Sequence, residues 1–340
     1  MNYKNFFRQT LSILTVVALT MILLTSAGCG SNKEKIDAII TRAEEHIKQN
    51  HYNEAIDAAN EIIKLDSKNS RAYEIRATAY FFRGEYDSAI KDATESITID
   101  PQNAKAYTTR AFTYDKLKQY DKEIPDLDKV IELKPESNVY YFRGNVYSEL
   151  EQYDKAIADY TKAIELNPKN ENAYYHRGVA YNRLEQYDKA IPDCNKAIEL
   201  NPKNEDAYYH RGVAYSGLEQ YDKAIPDFDK AIELNPNSDI AYYRRGVAYN
   251  NLKQYDRAIS DLTKAIEIDP EYMSAYFQRA FAYALTNNFN QTIADATKII
   301  ELDPNNNLAY QLRGLCYESI DDTAKAQADF AKAKELGYDG

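Results

Sequence analysis

Apolar and small residues recur at helical spacing along most of the chain. In residues 171–204, Tyr174, Gly178 and Tyr181 stand at i, i+4 and i+7, the stripe of one helix face. Ala190, Cys194, Ala197 and Ile198 keep helical spacing further on. Between the two sets lies a short polar stretch in which Asp188 is placed to cap the second helix. Proline disfavours helical geometry in the residue before it, so Asn201-Pro202 ends that helix. The pattern predicts a helix–turn–helix unit, with Gly178 and Ala190 small where the helices approach most closely. Two short helices cannot bury an apolar face alone, but stacked copies can.

The unit repeats. Residues 205–238 match residues 171–204 at nearly every position, a period of 34. With proline at the thirty-second place as phase marker, nine units follow: 36–69, 70–103, 104–136, 137–170, 171–204, 205–238, 239–272, 273–306 and 307–340. The third is one residue short, in the loop 135–138, where deletions are tolerated. The first is degenerate, with Ile39, Ala43, His46, Ala55, Ala59 and Ile62 in the key places and Ser67 for the proline. The last has a polar second helix carrying Lys325, Gln327, Lys332 and Lys334. Atypical end repeats are expected because they face water. No linker or mixed region interrupts the period, so one repeat body over 36–340 is expected.

These residues resemble the tetratricopeptide repeat. That family has a bulky residue fourth, small eighth, aromatic eleventh, Ala twentieth, aromatic twenty-fourth, Ala twenty-seventh and Pro thirty-second. Tyr174, Gly178, Tyr181, Ala190, Cys194, Ala197 and Pro202 hold those places here. Tyr stands for the usual Trp, and Cys194 for an aromatic that Phe228 supplies one repeat later. The resemblance implies an all-α, right-handed superhelical solenoid of about nine units. It also implies a protein that holds other proteins.

The chain has a formal net charge of −11, and residues 29–340 carry −13. A nucleic-acid backbone binder needs a basic face, so no nucleic-acid partner is expected. Residues 1–28 read as a targeting segment. Lys4 and Arg8 precede the apolar run 11–24, which is too short for a confident span. Thr25-Ser26-Ala27-Gly28-Cys29 resembles the lipobox of bacterial lipoproteins, in which the cysteine is lipidated and becomes the first mature residue. Ser26 departs from the commoner Leu, and a plain signal peptide and an uncleaved anchor stay open as alternatives. Lipid on Cys29 would tether the protein to a membrane of the bacterial cell envelope. Gly30 after the cysteine resembles lipoproteins sorted to the outer membrane, facing the periplasm, where an organism has one. Residues 30–35 extend roughly 20 Å at most, which keeps the repeats near the membrane.

There are 31 tyrosines. Most fall at the fourth, eleventh and seventeenth places and are read as packing between helices. Tyr141, Tyr175, Tyr209 and Tyr243 stand one residue past a packing tyrosine, and Phe277 continues the row. One step along a helix rotates by about 100°, so these five leave the core stripe. The resemblance places them on the concave groove, with Val179, Val213, Val247 and Phe281 widening the strip. An apolar strip of this extent marks a binding surface, the alternative being that the rings stiffen the stack.

Arg76, Arg110, Arg143, Arg177, Arg211, Arg245, Arg279 and Arg313 hold the seventh place, each with an aspartate sixteen residues later. The regularity predicts a structural ion pair between the two helices or between adjacent repeats. Eight similar pairs do not make one catalytic site. His176 and His210 are read as surface residues, and Cys194 and Cys316 as core thiols. No phosphate loop, nucleophile elbow or metal-ligand spacing occurs, so no enzyme, cofactor or metal site is expected. The carboxylate clamp of co-chaperones in this family uses Lys fifth and Asn ninth. Tyr175 and Val179 occupy those places, and Asn145 faces Tyr141 rather than a lysine. The sequence therefore points to an envelope-tethered scaffold that takes a protein segment or helix in an aromatic groove. Wall glycan, or a role assembling an envelope complex, is the alternative.

Stability in a repeat stack is a sum of local terms. Hydrogen exchange should accordingly find residues 36–69 less protected than 171–238. Equal protection would contradict the additive picture.

Overall fold

The computed structural model describes residues 32–338. Every element among them is an α-helix, and the helices alternate in antiparallel-type pairs of 13 or 14 residues after a first helix of 17, Asn32–Lys48. Residues 32–35, counted above in the extended stretch before the repeats, form the first turn of that helix. Residues 1–31, including the targeting segment and Cys29, lie outside the described residues. The chain divides into two compact units, one ending at Val146 and one beginning at Tyr147.

The local structure follows from a few positions in each repeat. Asn170 caps helix Glu171–Arg183 by accepting from the Ala173 amide at 3.2 Å. Asn204 and Ser238 do the same for the next two first helices. Second helices between the first and last repeats close on a residue before proline, as at Asn201, with φ −141°, whereas the first closes on Asp66 before Ser67 and the last on Leu336 before Gly337. The turn inside each repeat differs from expectation. Glu185 sits in the left-handed region, at φ 57°, and the Gln186 amide reaches back to the Tyr181 carbonyl at 2.9 Å. That reversal is tight enough for the second helix to start at once, at Tyr187. Asp188 therefore does not cap it; the N-cap is Gln186, whose side chain makes no capping bond. Asp188 instead lies in the first turn, where its charge favours the helix dipole. Asn50, Lys118, Glu151, Glu219, Lys253, Asn287 and Asp321 take the same left-handed conformation, and Gly84 does so in the second repeat.

Small residues set how closely paired helices approach. A Cβ added at Gly212 would stand 2.7 Å from the Phe228 ring, so only glycine fits. At Gly178 the partner is the Cys194 sulfur at 3.1 Å, a milder crowding. Cys194 and Cys316 are both buried free thiols, and burial pushes Cys194 up to about 12.

The arginine of each repeat makes more contacts than the expected pair. Arg211 donates through Nε and Nη2 to both oxygens of Asp227, at 2.8 and 2.5 Å. That bond joins the two helices of one repeat. Its third nitrogen donates to Asn195 of the preceding repeat at 2.6 Å. The guanidinium also lies over the Tyr208 ring, 5.5 Å from its centroid. Arg76, Arg110, Arg177, Arg245, Arg279 and Arg313 repeat this arrangement with Asn60, Thr94, Thr161, Asp229, Thr263 and Thr297 behind them. Burial lifts the Asp227 carboxyl above its ordinary range while Arg211 holds it back. The bond thus contributes position more than net attraction.

One core position breaks the small-residue rule. Glu123 stands where Ala190 and Ala224 stand in later repeats, and it is only 2% exposed. Its Oε2 has no hydrogen-bond partner. Burial, with Asp115 and Asp126 adding repulsion, raises its pKa to about 8. The protonated form is thus favoured in the folded state, and the folded protein loses stability as pH rises from about 4.5 through about 8. Glu123→Ala should leave stability nearly unchanged at pH 4 and raise it by about 2 kcal/mol or more above pH 8, read by urea unfolding at several pH values. A gain that does not grow with pH would refute the assignment.

Candidate functional site

The candidate site lies on the first helices of the repeats within the unit that begins at Tyr147. Helices Glu171–Arg183, Glu205–Gly217, Asp239–Asn251 and Met273–Leu285 carry Tyr175, Tyr209, Tyr243 and Phe277 at equivalent places. All four side chains are half-buried, as are Val179, Val213 and Val247. Phe281 is 49% exposed. Tyr141, in the other unit, departs from the row: it is buried, at 8% exposure. Its neighbour Phe142 packs edge-on against Phe112, 5.0 Å between centroids, and Tyr141 lies 5.5 Å from Phe142. At that burial it belongs to packing and not to an open face.

The row is not a simple ladder of tyrosines. Histidines interleave with it. Tyr175 lies 4.7 Å from His176 and 5.7 Å from His210, and Tyr209 lies 5.0 Å from His210. Tyr160 approaches His176 from behind at 6.0 Å. His176 and His210 are therefore half-buried between aromatic rings and are not the surface residues expected. The sequence signal that would have found them is their place, one residue past Tyr175 and Tyr209. Burial lowers both imidazoles to about 4, with Arg183 and Arg244 adding repulsion at His210. Further along, Tyr243 packs on Tyr272 at 4.9 Å and lies under Arg244, 5.8 Å from the guanidinium carbon. Burial raises the Tyr209 and Tyr272 hydroxyls above the ordinary phenol range.

Polar side chains tie adjacent first helices together along the same face. Asn182 donates to the His210 carbonyl at 2.8 Å, and Asn250 donates to the Gln278 carbonyl at 3.0 Å. Those bonds fix each amide, and they leave Asn182 Oδ1 and Asn250 Oδ1 buried without a donor. His210 Nδ1 is likewise unpaired. A cavity of about 390 Å³ is lined by Val247, Asn250, Asn251, Lys253, Gln278 and Phe281. It combines an apolar wall with amide groups, which suits a chain that presents both side chains and backbone. Among the described residues no group of three His, Cys, Asp or Glu side chains is placed to hold a metal ion. None of the described helices is long and apolar enough to cross a membrane.

Comparison with known proteins bears on the repeat itself. Tetratricopeptide repeat profiles match residues 40–104, 93–124, 171–204, 205–238, 240–272, 274–306 and 308–336, and a TPR repeat profile matches 144–185. Comparison with curated proteins gives no match. Among solved structures, a tetratricopeptide repeat protein from Parabacteroides merdae is 20% identical, covers 73% of this chain and 98% of its own, and superposes with a TM-score of 0.54. The APC/C hetero-tetramer Cut9–Hcn1 matches at 17% identity over 85% of this chain and 57% of its own, with a TM-score of 0.53. YrrB, described as a TPR protein with an unusual peptide-binding site, is 29% identical over 55% of this chain and 97% of its own, with a TM-score of 0.49. The first two share the fold.

Burial of the two imidazoles has a direct consequence for titration. Their charged form is disfavoured in the folded state, so the stability they contribute is lost as pH falls from their ordinary range near 6.5 toward 4. In an NMR titration, two of the four histidines, His176 and His210, should stay neutral until about pH 4. Titration of either near 6.5 would show that its ring is open to water.

Proposed function

Because the chain is built of tetratricopeptide repeats and belongs to that family, we infer that it is an interaction scaffold whose inner face holds a segment of another protein. The observation that carries this reading is the row Tyr175, Tyr209, Tyr243 and Phe277, half-buried on successive first helices and bordered by Val179, Val213 and Val247. Rings held on rigid helices present large contact area at small entropic cost, and a few such anchors carry most of an interface's affinity. The amide-lined cavity beside the row suits a ligand with backbone polarity. The reading extends to location through the N-terminus. Lipidation at Cys29 would place the scaffold at a membrane of the bacterial cell envelope, facing partners there.

The test is capture from detergent-solubilised envelope, with the chain from Cys29 onward as bait. Tyr175/Tyr209/Tyr243→Ala should weaken capture of a partner at least about tenfold. Tyr→Phe at the same places should retain most of it while circular dichroism shows both variants folded. Capture unchanged in the folded Ala variant would move the interface off this face. Retention only by purified wall glycan would replace a protein partner with a carbohydrate one.

A further inference from the structure

The cavity beside the row has chemistry of its own, and it lies where the repeats stop being copies of one another. Its lining comes from the seventh and eighth repeats. Four of the lining residues depart from both of the near-identical repeats 171–204 and 205–238. Phe281 stands where those repeats have Val179 and Val213, and Gln278 where they have His176 and His210. Asn251 replaces Arg183 and Gly217, and Lys253 replaces Glu185 and Glu219. The packing places Gly246 and Ala248 keep the residue of both earlier repeats. Departures at four separate places in the repeat thus meet around one volume of about 390 Å³.

The hydrogen bonds show which groups are left for a ligand. Asn250 is spent on the stack: its Nδ2 donates to the Gln278 carbonyl at 3.0 Å and to Gln278 Oε1 at 3.2 Å. Asn251 is exposed, and its Nδ2 donates to the Val247 carbonyl at 2.9 Å, which leaves its Oδ1 as an acceptor. Gln278 Nε2, the exposed Lys253 ammonium and the Tyr255 hydroxyl take no partner among the described residues. Phe281 is 49% exposed. The cavity thus offers an open phenyl ring, amide and phenol groups around it, and one positive charge with no carboxylate in its lining. An amino-acid side chain has one polar tip and would leave most of these groups unmet. A pyranose ring meets them together. Hydroxyls around its edge both donate and accept, and its C–H face lies well on an aromatic ring. Ligand sites run from about 300 to 1,000 Å³, so this one suits a compact ligand. We propose that the cavity binds a saccharide unit carrying a carboxylate, its ring stacked on Phe281, its hydroxyls on Asn251, Gln278 and Tyr255, and its carboxylate against Lys253. The proposal goes beyond the groove reading, which the row of rings carries without it.

The probes are the methyl glycosides of glucuronic and galacturonic acid, their neutral counterparts from glucose and galactose, and acetylated, amidated glutamate as a carboxylate without a sugar ring. Titration calorimetry against the chain from Cys29 onward should show an acidic glycoside binding about fivefold more tightly than its neutral counterpart, with the preference shrinking as salt rises. Saturation-transfer NMR should mark the C–H protons of the sugar ring. Phe281→Val and Lys253→Glu each restore the residue of the equivalent repeats, so helicity and thermal midpoint should stay unchanged. Phe281→Val should weaken every glycoside at least about tenfold. Lys253→Glu should remove the acidic preference and leave the neutral glycoside bound. No binding by any glycoside, equal binding of acidic and neutral members, binding that survives Phe281→Val, or an acidic preference that survives Lys253→Glu each overturns the proposal. Displacement of the glycoside by the capped glutamate as readily as by unlabelled glycoside overturns the sugar in favour of a carboxylate side chain. The groove reading is judged separately, because Tyr175/Tyr209/Tyr243→Ala changes no residue of the cavity lining.

Discussion

A guanidinium that bonds in three directions is the constraint on which the repeats depend. Arg211 holds Asp227 across its own helix pair, Asn195 in the repeat before it, and the face of Tyr208 beside it. The apolar positions do not specify geometry at that level. Alanine at Ala190, Ala207 and Ala224 allows close approach but not one particular angle. Planar, directional bonds do, because a fork that reaches both carboxylate oxygens and a third acceptor tolerates little rotation. The desolvation of Asp227 explains why the device is always paired: an aspartate at that depth without its arginine is an uncompensated buried charge. Lysine would keep the charge and lose the fork.

The same economy shapes the inner face. The small core positions are nearly invariant in kind, Glu123 apart, so differences between repeats collect on the side of the first helix that carries the ring row. There the side chain after the ring changes from His176 and His210 to Arg244 and Gln278. The ring row gives contact area, and the residue beside it gives character. Farther along, Phe281, Leu285, Leu308 and Leu315 are among the exposed large hydrophobics, so this face passes from polar and cationic to aliphatic within one unit.

Most of the fold was legible before any coordinates, because a 34-residue period states the same helix pair many times over. The helix ends at Asn201 and the close approach at Gly212 follow from single residues with strong backbone or steric meaning. What was not legible depended on three-dimensional neighbours. Asp188 looks like a cap, but the left-handed Glu185 starts the helix sooner than any side-chain rule allows. The third arm of Arg211 crosses to another repeat, sixteen residues back, a distance that no local pattern marks. Tyr141 has the sequence context of Tyr175, yet it is buried beside Phe142, whose ring meets Phe112, and repeat phase cannot report such differences. His210 carries only its place beside Tyr209 as a signal, and the rings that bury it come from neighbouring helices.

The left-handed residue in each turn has a wider consequence. Asn50, Lys118, Glu151, Glu185, Glu219, Lys253, Asn287 and Asp321 share one backbone shape and little else. The shape is imposed by the helices on either side, so the side chain there carries little structural duty, the Tyr52 hydroxyl's bond to Asn50 apart. Acid, base and amide all serve. Evolution can therefore repaint this rim of the protein residue by residue, altering how it repels or tolerates neighbours in a crowded compartment, while the stack beneath keeps its dimensions.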